Sequence, residues 1–562
     1  MKSSKVSPRL MATVLLLGGG LCAAPTKGRT DAAPDASMVA AHEAAKGDLL
    51  LEALLTELER SKAHLKMDQV QAPYYIEYRV NDVDDFNAEA AFGAIRESSR
   101  SRFRVLRVVV RIGGYKQDSF YGQGTGTASI LPLDNDAIAL RRQIWLLTDE
   151  AYKNAADAYA EKLSALKQFN PDPNPVDDFA HAPTLTRVEG TVALKVDQKQ
   201  WDKTLEDVSN LYRQYPEIQG VDASARFTAV NEYLVNSEGT IVRQGRSTAT
   251  VTLSGSTQAA DGMRLGRSPF WTEERPEELP SRDALLKESK QMLETLRALG
   301  QAPIVEESYR GPVLFAPDAA NDVMAGLIGT NILGRKPQLG RPNRTTGSFA
   351  TGYKTRVLPK FVTVVDDPTM KEFAGKQLVG SYEVDSEGVK AQAVKLVDNG
   401  ILTSYLTGRQ PLRDFPDSNG HGRATPGGGP QPSLGVLEFK SAEPETAKAL
   451  NEKLKQMASE EGKAYGYRVE TLGPGNSPRL LYRVYVNDGH EELVRGAVFN
   501  ELDVRALRND LTAMGDDPLV SNRMSGLPQT IICPSLLFDE LEVKRADTTK
   551  EKLPEYPAPA LK

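Results

Sequence analysis

A chain of 562 residues is too long for one ordinary hydrophobic core, so two or more domains are expected. Its 69 basic and 75 acidic residues are evenly mixed and leave a net charge of -6, which excludes the basic footprint of a nucleic-acid binder. Two cysteines, Cys22 and Cys533, exclude a cysteine-rich zinc site, while 40% hydrophobic against 26% charged residues places the chain among soluble globular proteins.

Lys2, Lys5 and Arg9 precede an apolar run from Leu10 to Leu21, and Cys22-Ala23-Ala24 follows with small residues suited to cleavage. Residues 1–24 therefore read as a signal peptide, and the mature protein is expected in the periplasm or secreted. The run is too short to span a bilayer, and no later segment reaches that length, so no membrane span is expected. Lipoprotein anchoring at Cys22 is the weaker alternative, because Leu21 is large where such signals want a small residue. Cleavage after Ala24 removes three positive charges and shifts the net charge from -6 to -9. Residues 25–37, rich in Ala, Asp and Pro, read as a disordered lead-in.

A first domain is expected over 38–300. Leu51, Leu54, Leu55, Leu58 and Leu65 trace an amphipathic helix over Asp48–Leu65. Three strand-like runs, Tyr74–Val80, Ala88–Glu97 and Phe103–Ile112, suggest a curved antiparallel meander. Asp134–Gln168 is helical by pattern, with Trp145, Leu146, Tyr152 and Tyr159 assigned to the core, and NPDPNP at Asn170–Pro175 closes it as a loop. Strands are expected over Thr186–Val196 and Ala223–Leu253, the second holding the hairpin YLVNSEGTIVRQG. A helix over Arg282–Leu299, stopped by Gly300, ends this half.

The second domain is expected over 305–548, with a tail at 549–562. Val313, Leu314 and Phe315 close a strand, and Pro317 and Asp318 start a helix, proline presetting φ and Asp318 offering a cap. Such a strand-to-helix junction is a common place for chemistry, yet this one carries Ala325, Gly326 and Thr330. VTVVDD at Val362 reads as a strand, YEVDSEG as a strand and turn, and AVKLVDNGILTSYL as two strands around an Asn399-Gly400 hairpin. Leu481–Val486 and Glu492–Phe499 bracket a turn at Asn487-Asp488-Gly489. The Ser-Glu-Gly turn occurs at Ser237 and again at Ser386 without a fixed period, so it is reused turn chemistry and not a repeat array. The class is α+β: two domains of mixed helices and long curved antiparallel sheets, the second half rich in strands.

GSFATGYKT, Gly347–Thr355, misses a phosphate loop because Tyr353 separates the second glycine from Lys354. YGQGTG at Tyr121 lacks the flanking strand and helix of a dinucleotide site. There is no G-x-S-x-G elbow, and neither His42-Glu43 nor His490-Glu491 has a second histidine in place for H-E-x-x-H. Cys533, in TIICPSLLF, reads as a buried strand thiol. The loop Asp414–Pro432 carries Asn419, His421 and Arg423 among glycines. It is either a site for a peptide carboxylate or carbonyls, or a flexible surface loop. Asp366-Asp367 and Asp385/Glu387 are candidate acid/base carboxylates, against the commoner reading as solvated turn acids.

Eight stretches in fixed order resemble the TldD/PmbA family, once called modulators of DNA gyrase and known as peptidases working in TldD–TldE-type pairs. They are GPVLF at Gly311, the Phe315–Asn331 helix, VTVVDDPT at Val362, VDSEG at Val384, LVDNGILTSYLTGR at Leu396, SNGHGR at Ser418, EELVRGA at Glu491 and PSLLFDELEV at Pro534. The first half is similar only loosely. In the family's active subunits the helix after the GPVLF-like strand carries H-E-x-x-x-H, and a later cysteine completes a zinc-type site in which the Glu serves as general base.

Set side by side, the resemblance puts Ala325 and Gly326 where His-Glu would stand and Thr330 where the second His would stand. Gly515–Gly526 lacks the cysteine. The resemblance thus implies a PmbA/TldE-like subunit without metal or other cofactor, its vacated pocket packed with small residues. Implied partners are a peptide or unfolded-protein substrate and a TldD-like metal-bearing subunit, or a second copy of the chain. The implied role is an exported non-metal partner or peptide-holding subunit of a proteolytic complex. Two alternatives stay open: an autonomous zinc peptidase using His421, Asp366, Asp367 or another chain, and a non-enzymatic envelope binding or scaffold protein.

Overall fold

Helix α1 (Leu49–His64) starts where Asp48 accepts hydrogen bonds from the Leu50 and Leu51 amides, and it buries Leu51, Leu54, Leu55 and Leu58 as the leucine spacing predicts, with Leu50 beside them and Leu65 just past its end. The computed structural model of the protein describes residues 42–169, 175–305, 308–341, 343–547, 552–556 and 559. The expected signal peptide, the lead-in over 25–37, residues 170–174 of the NPDPNP stretch and most of the tail lie outside the described residues. Among those described, no helix is long and apolar enough to cross a membrane.

The expected three-strand meander is one long hairpin. Strands β1 (Tyr75–Ala91) and β2 (Ala94–Arg111) turn at Phe92-Gly93, both at positive φ, inside the span read as a middle strand. The polar stretches read as breaks are strand because their charges pair across the ladder. Asp82 meets Arg102 at 2.8 Å and Arg104 at 2.7 Å, and Asp84 meets Arg100 at 2.7 Å.

The other main elements of this half are β3 (Thr127–Leu131), α2 (Ala137–Leu166), α3 (Gln198–Ser209), β4 (Gly220–Asn236), β5 (Ile241–Gln258), β6 (Phe270–Glu273) and α4 (Arg282–Gln301), with a short strand at Arg264–Arg267 paired to β5. Of the expected strand over Thr186–Val196, only Thr186–Val188 forms, pairing in parallel with β5. The sheet runs β6-β5-β4-β1-β2-β3, with β6 and β3 as its edges. Helix α2 buries Leu140, Ile144, Leu147, Ala151 and Tyr152. Trp145 and Leu146, assigned to the core, fall off that stripe and are 44% and 52% exposed.

Alternation along β1 divides the sheet's two faces. Ile76, Tyr78, Val80, Phe86 and Ala88 pack under the helices. Tyr75, Arg79 and Asn81 point the other way, toward the second half.

The second half is built from two sheets. Its main elements are β7 (Tyr309–Phe315), α5 (Pro317–Met324), β8 (Val362–Asp366), β9 (Val394–Asp398), β10 (Val436–Ser441), α6 (Ala447–Glu460), β11 (Tyr465–Gly473), β12 (Ser477–Tyr485), β13 (Glu491–Val494), β14 (Leu511–Gly515), β15 (Leu519–Ser525), β16 (Leu527–Cys533) and β17 (Leu536–Arg545). One sheet runs β14-β17-β7-β11-β12-β13 and the other β9-β8-β10-β16-β15, mostly antiparallel, with parallel pairs at β7–β11 and β10–β16. Phe315, Val323, Met324, Val364, Leu437, Ile531 and Phe538 share one core, so α5 is a core helix. The Asn399-Gly400 hairpin forms as read, both residues at positive φ. YEVD forms no strand beyond a bridge between Val384 and Lys390. The architecture is mixed α+β.

Candidate functional site

The junction after β7 forms as the sequence expects, with one difference at its start. The residue flanking α5 is Ala316, with no side-chain cap, and Asp318 lies in the first turn facing a cleft. After Met324 the helix widens into a π turn over Ala325–Gly329. In an α-helix, residues five apart point about 140° away from each other. The i→i+5 bonding of a π turn instead stacks them. The π turn therefore brings positions 325 and 330, the two outer positions of an H-E-x-x-x-H spacing, closer to one face than an α-helix would.

The side chains do not match that backbone. Gly326 is exposed, and a Cβ placed on it would meet nothing within 4 Å. Thr330 is exposed and donates its hydroxyl to the Gly326 carbonyl at 2.8 Å, while Ala325 is half-buried against the core. The vacated position is thus open to solvent and not packed shut, which corrects the expectation of a filled pocket. A methyl group, a bare backbone and an engaged hydroxyl do not fit a zinc-type ion, which takes imidazole, thiolate and carboxylate donors. Asp322, one turn earlier, is held by Arg523 at 2.6 Å. Among the described residues no group of three His, Cys, Asp or Glu side chains is placed to hold a metal. Cys533 is the buried thiol expected: it donates to the Pro534 carbonyl, and burial pushes its value well up.

Beside α5 lies a cleft of about 330 Å³. One wall is β6 with the preceding Arg267–Pro269, from the first half; the other is β15 with Asp318 and Asp322, from the second. Both strands are sheet edges, so two unpaired edges flank one groove. Phe270 and Leu519 form partly exposed apolar shoulders. Asp318 opens to solvent at the mouth, but the surrounding protein and the Asp322 carboxylate raise its carboxyl above the ordinary range. Sequence reasoning missed this groove because no local motif marks strands from different halves as neighbours.

The loop candidates lie elsewhere. His421 is fully buried, with Nε2 3.3 Å from Asp366 Oδ1 and Nδ1 3.0 Å from Asn419 Oδ1. Arg423 is buried, donates to the Leu434 and Pro528 carbonyls, and lies 4.6 Å over the Tyr382 ring. Asn419 is half-buried between Tyr405 and Thr407, donating to the carbonyl of the first and accepting from the amide of the second at 2.8 Å each. The structure brings Asn419, His421 and Asp366 together in the interior, and none of them lines the cleft. The loop is a packed element and not a flexible surface segment.

The acids read as solvated turn carboxylates divide in the same way. Asp367 does cap its own turn, accepting from Thr369. Asp366 accepts from the Gly435 and Val436 amides, Asp385 from those of Glu387, Val389 and Gly422, and Glu387 from that of Arg409. Burial raises both Asp385 and Glu387. The Glu387 charge adds to the rise at Asp385, while Arg409 opposes it at Glu387.

These buried groups join the two halves. Arg79 donates to the Ser386 and Gly428 carbonyls, Arg107 to the Gly427 carbonyl, and Asn81 accepts from the Gly427 amide. Arg409 spans both Ser-Glu-Gly turns, its guanidinium on Glu238 and its amide on Glu387. Walled off from solvent, this network can pin a loop and align two sheets, but it offers no substrate a path to its carboxyls.

Comparison with known proteins matches residues 308–545 to the PmbA/TldA metallopeptidase C-terminal domain. A metalloprotease of Methanothermobacter thermautotrophicus is 44% identical over 55 residues, 10% of this chain and 11% of that protein. Metalloprotease MJ0996 of Methanocaldococcus jannaschii is 39% identical over 130 residues, 23% of this chain and 26% of that protein. The match thus spans about a quarter or less of these curated relatives' length. Among solved structures, TldE from Thermococcus kodakarensis superposes with a TM-score of 0.57 at 14% identity, covering 87% of this chain and 99% of that one. A candidate DNA gyrase modulator from Thermotoga maritima gives 0.61 at 14% identity, covering 88% and 99%. At that identity the likeness is one of fold.

Proposed function

By its residues 308–545 the chain belongs to the TldD/PmbA family, and we propose that it serves there as an exported, non-metal, peptide-holding partner of a metal-bearing homologue. The observation that carries this reading is the π turn at Ala325–Gly329: its backbone suits the ligand spacing, and its side chains supply no donors. Hydrolysis would then belong to the complex, with water activated on the partner. The groove between β6 and β15 supports peptide holding, because an extended segment can add to an unpaired sheet edge through main-chain hydrogen bonds. The support for export is the signal-like sequence of residues 1–24, and with it the work would lie in the periplasm or outside the cell.

An autonomous peptidase would need ligands from elsewhere in the chain. His421 and Asp366 are bonded to each other in the interior, which weighs against recruiting them. Metal analysis of the purified protein, with peptidase assays before and after chelation, tests the reading. Stoichiometric zinc that leaves together with peptidase activity would overturn it. Co-purification tests the partnership, since a scaffold that works alone would come out without a metal-bearing companion.

A further inference from the structure

Resting on the peptide-holding reading, we propose that the groove recognises a carboxylate on its peptide through Arg267 and Arg479. Arg267 enters the groove just ahead of β6, and Arg479 reaches it from β12. Both are half-buried, and among the described residues neither side chain has a hydrogen-bond or ion-pair partner. The neighbouring cations are engaged: Arg523 bonds Asp322 at 2.6 Å, and Lys376 lies 3.7 Å from Glu273. Burial depresses the Arg267 guanidinium, and the Arg479 charge works in the same direction. Asp318 and Glu470 act on Arg267 from beyond ion-pair distance and do not neutralise it.

Two like charges lining one groove favour a counter-ion there, and a planar guanidinium suits a carboxylate's two oxygens. The fold makes room for this arrangement. At Gly473, whose φ of -124° any residue adopts, an added Cβ would come within 2.8 Å of Arg479 Nε. The same Cβ would also lie 3.2 Å from the Ser477 carbonyl, so glycine leaves room for both the arginine and the turn. Arg267 sits at the end of the groove where β6 begins, so a segment lying along the groove would present a chain end or a terminal side chain to the pair.

The test is fluorescence anisotropy with the mature protein and an N-terminally labelled, uncharged Val/Thr-rich peptide. The peptide is made as the free acid, as the C-terminal amide, and as the amide with one Glu or one Gln near its end. A charged carboxylate is expected to tighten binding by about ten-fold over the neutral amide. That gain should shrink with added salt. It should also disappear in Arg267→Gln and in Arg479→Gln, whose folding is checked by circular dichroism melts. Preference for the free acid alone assigns the C-terminus as the source; equal preference for the Glu amide assigns any carboxylate. Equal binding of acid, Glu amide and neutral peptides overturns the inference and leaves peptide holding intact. No binding of any peptide overturns both.

Discussion

Glu238 and Glu387, the acids of two Ser-Glu-Gly turns from opposite halves of the chain, meet at a single arginine. Arg409 gives its guanidinium to Glu238 at 2.8 Å on both oxygens and its amide to Glu387 at 2.6 Å. The same guanidinium also caps the Ala180 carbonyl and lies 4.0 Å over the Phe179 ring.

Arg409→Met would leave the Ala180 carbonyl without its donor and Glu238 without its counter-charge, with only the Tyr115 hydroxyl among the described residues still donating to that carboxylate. Breaking such a pair by removing one partner destabilises by ~3–5 kcal/mol. Urea unfolding should register that loss, whereas Glu238→Gln, which keeps an acceptor, should lose less. A loss under ~1 kcal/mol for Arg409→Met would show that the contact does not hold the halves together.

Burial raises the carboxyls of Asp385 and Glu387 above their ordinary values of 3.8 and 4.5. The folded state then binds protons that the unfolded state has released, so stability falls as pH rises above that range. Glu387→Gln removes one of these groups. Relative to wild type, the variant should gain stability as pH rises above 4.5, as read by urea midpoints. Parallel curves would refute the assignment. Asp178, whose burial is outweighed by Lys336 and Lys162, is shifted downward and acts below 3.8, outside this window.

Two glycines should respond oppositely to alanine. Gly326 faces open space at ordinary φ, so Gly326→Ala should stabilise by ~0.5–1 kcal/mol through the unfolded chain. A Cβ at Gly422 would run into the Glu387 carboxylate, so Gly422→Ala should destabilise by ~1–3 kcal/mol. Thermal melts of the pair decide it, and a destabilised Gly326→Ala would mean that the position is filled after all.

Asp82 is the hinge of the charge ladder on the long hairpin. Its burial would raise its carboxyl, but bonds from Arg102 and Arg104 outweigh that and hold it below 3.8. The stabilisation is present above that value and lost as pH falls through the depressed one. Asp82→Asn removes the counter-charge of the buried Arg104, which among the described residues keeps only the Pro132 carbonyl and Asn135, and should cost ~3 kcal/mol at pH 7, with the gap to wild type closing below pH 3.8. A gap that persists at low pH would assign the loss to packing.

What was legible in the sequence was local. The leucine spacing of α1, the Asn399-Gly400 turn, the strand thiol of Cys533 and the junction after Phe315 each depend on neighbours within a few residues. What was not legible depends on partners far along the chain. Asp82 looks like a strand breaker until Arg102 and Arg104 stand opposite it. His421 looks like a loop residue until Asp366 receives it, and Arg409 carries no signal without Glu238. Trp145 and Leu146 read as core on hydrophobicity alone, but the stripe through Leu140, Ile144 and Leu147 excludes them. The groove needed two sheet edges that no single segment reveals.

The widened coil at 325–329 also bears on protein engineering. Grafting a reactive centre onto a scaffold usually founders on the main chain, which must first be bent to present its donors. Here that bend is already built, standing free of obstruction at Gly326, so a designer would exchange residues and leave the trace of the polypeptide untouched.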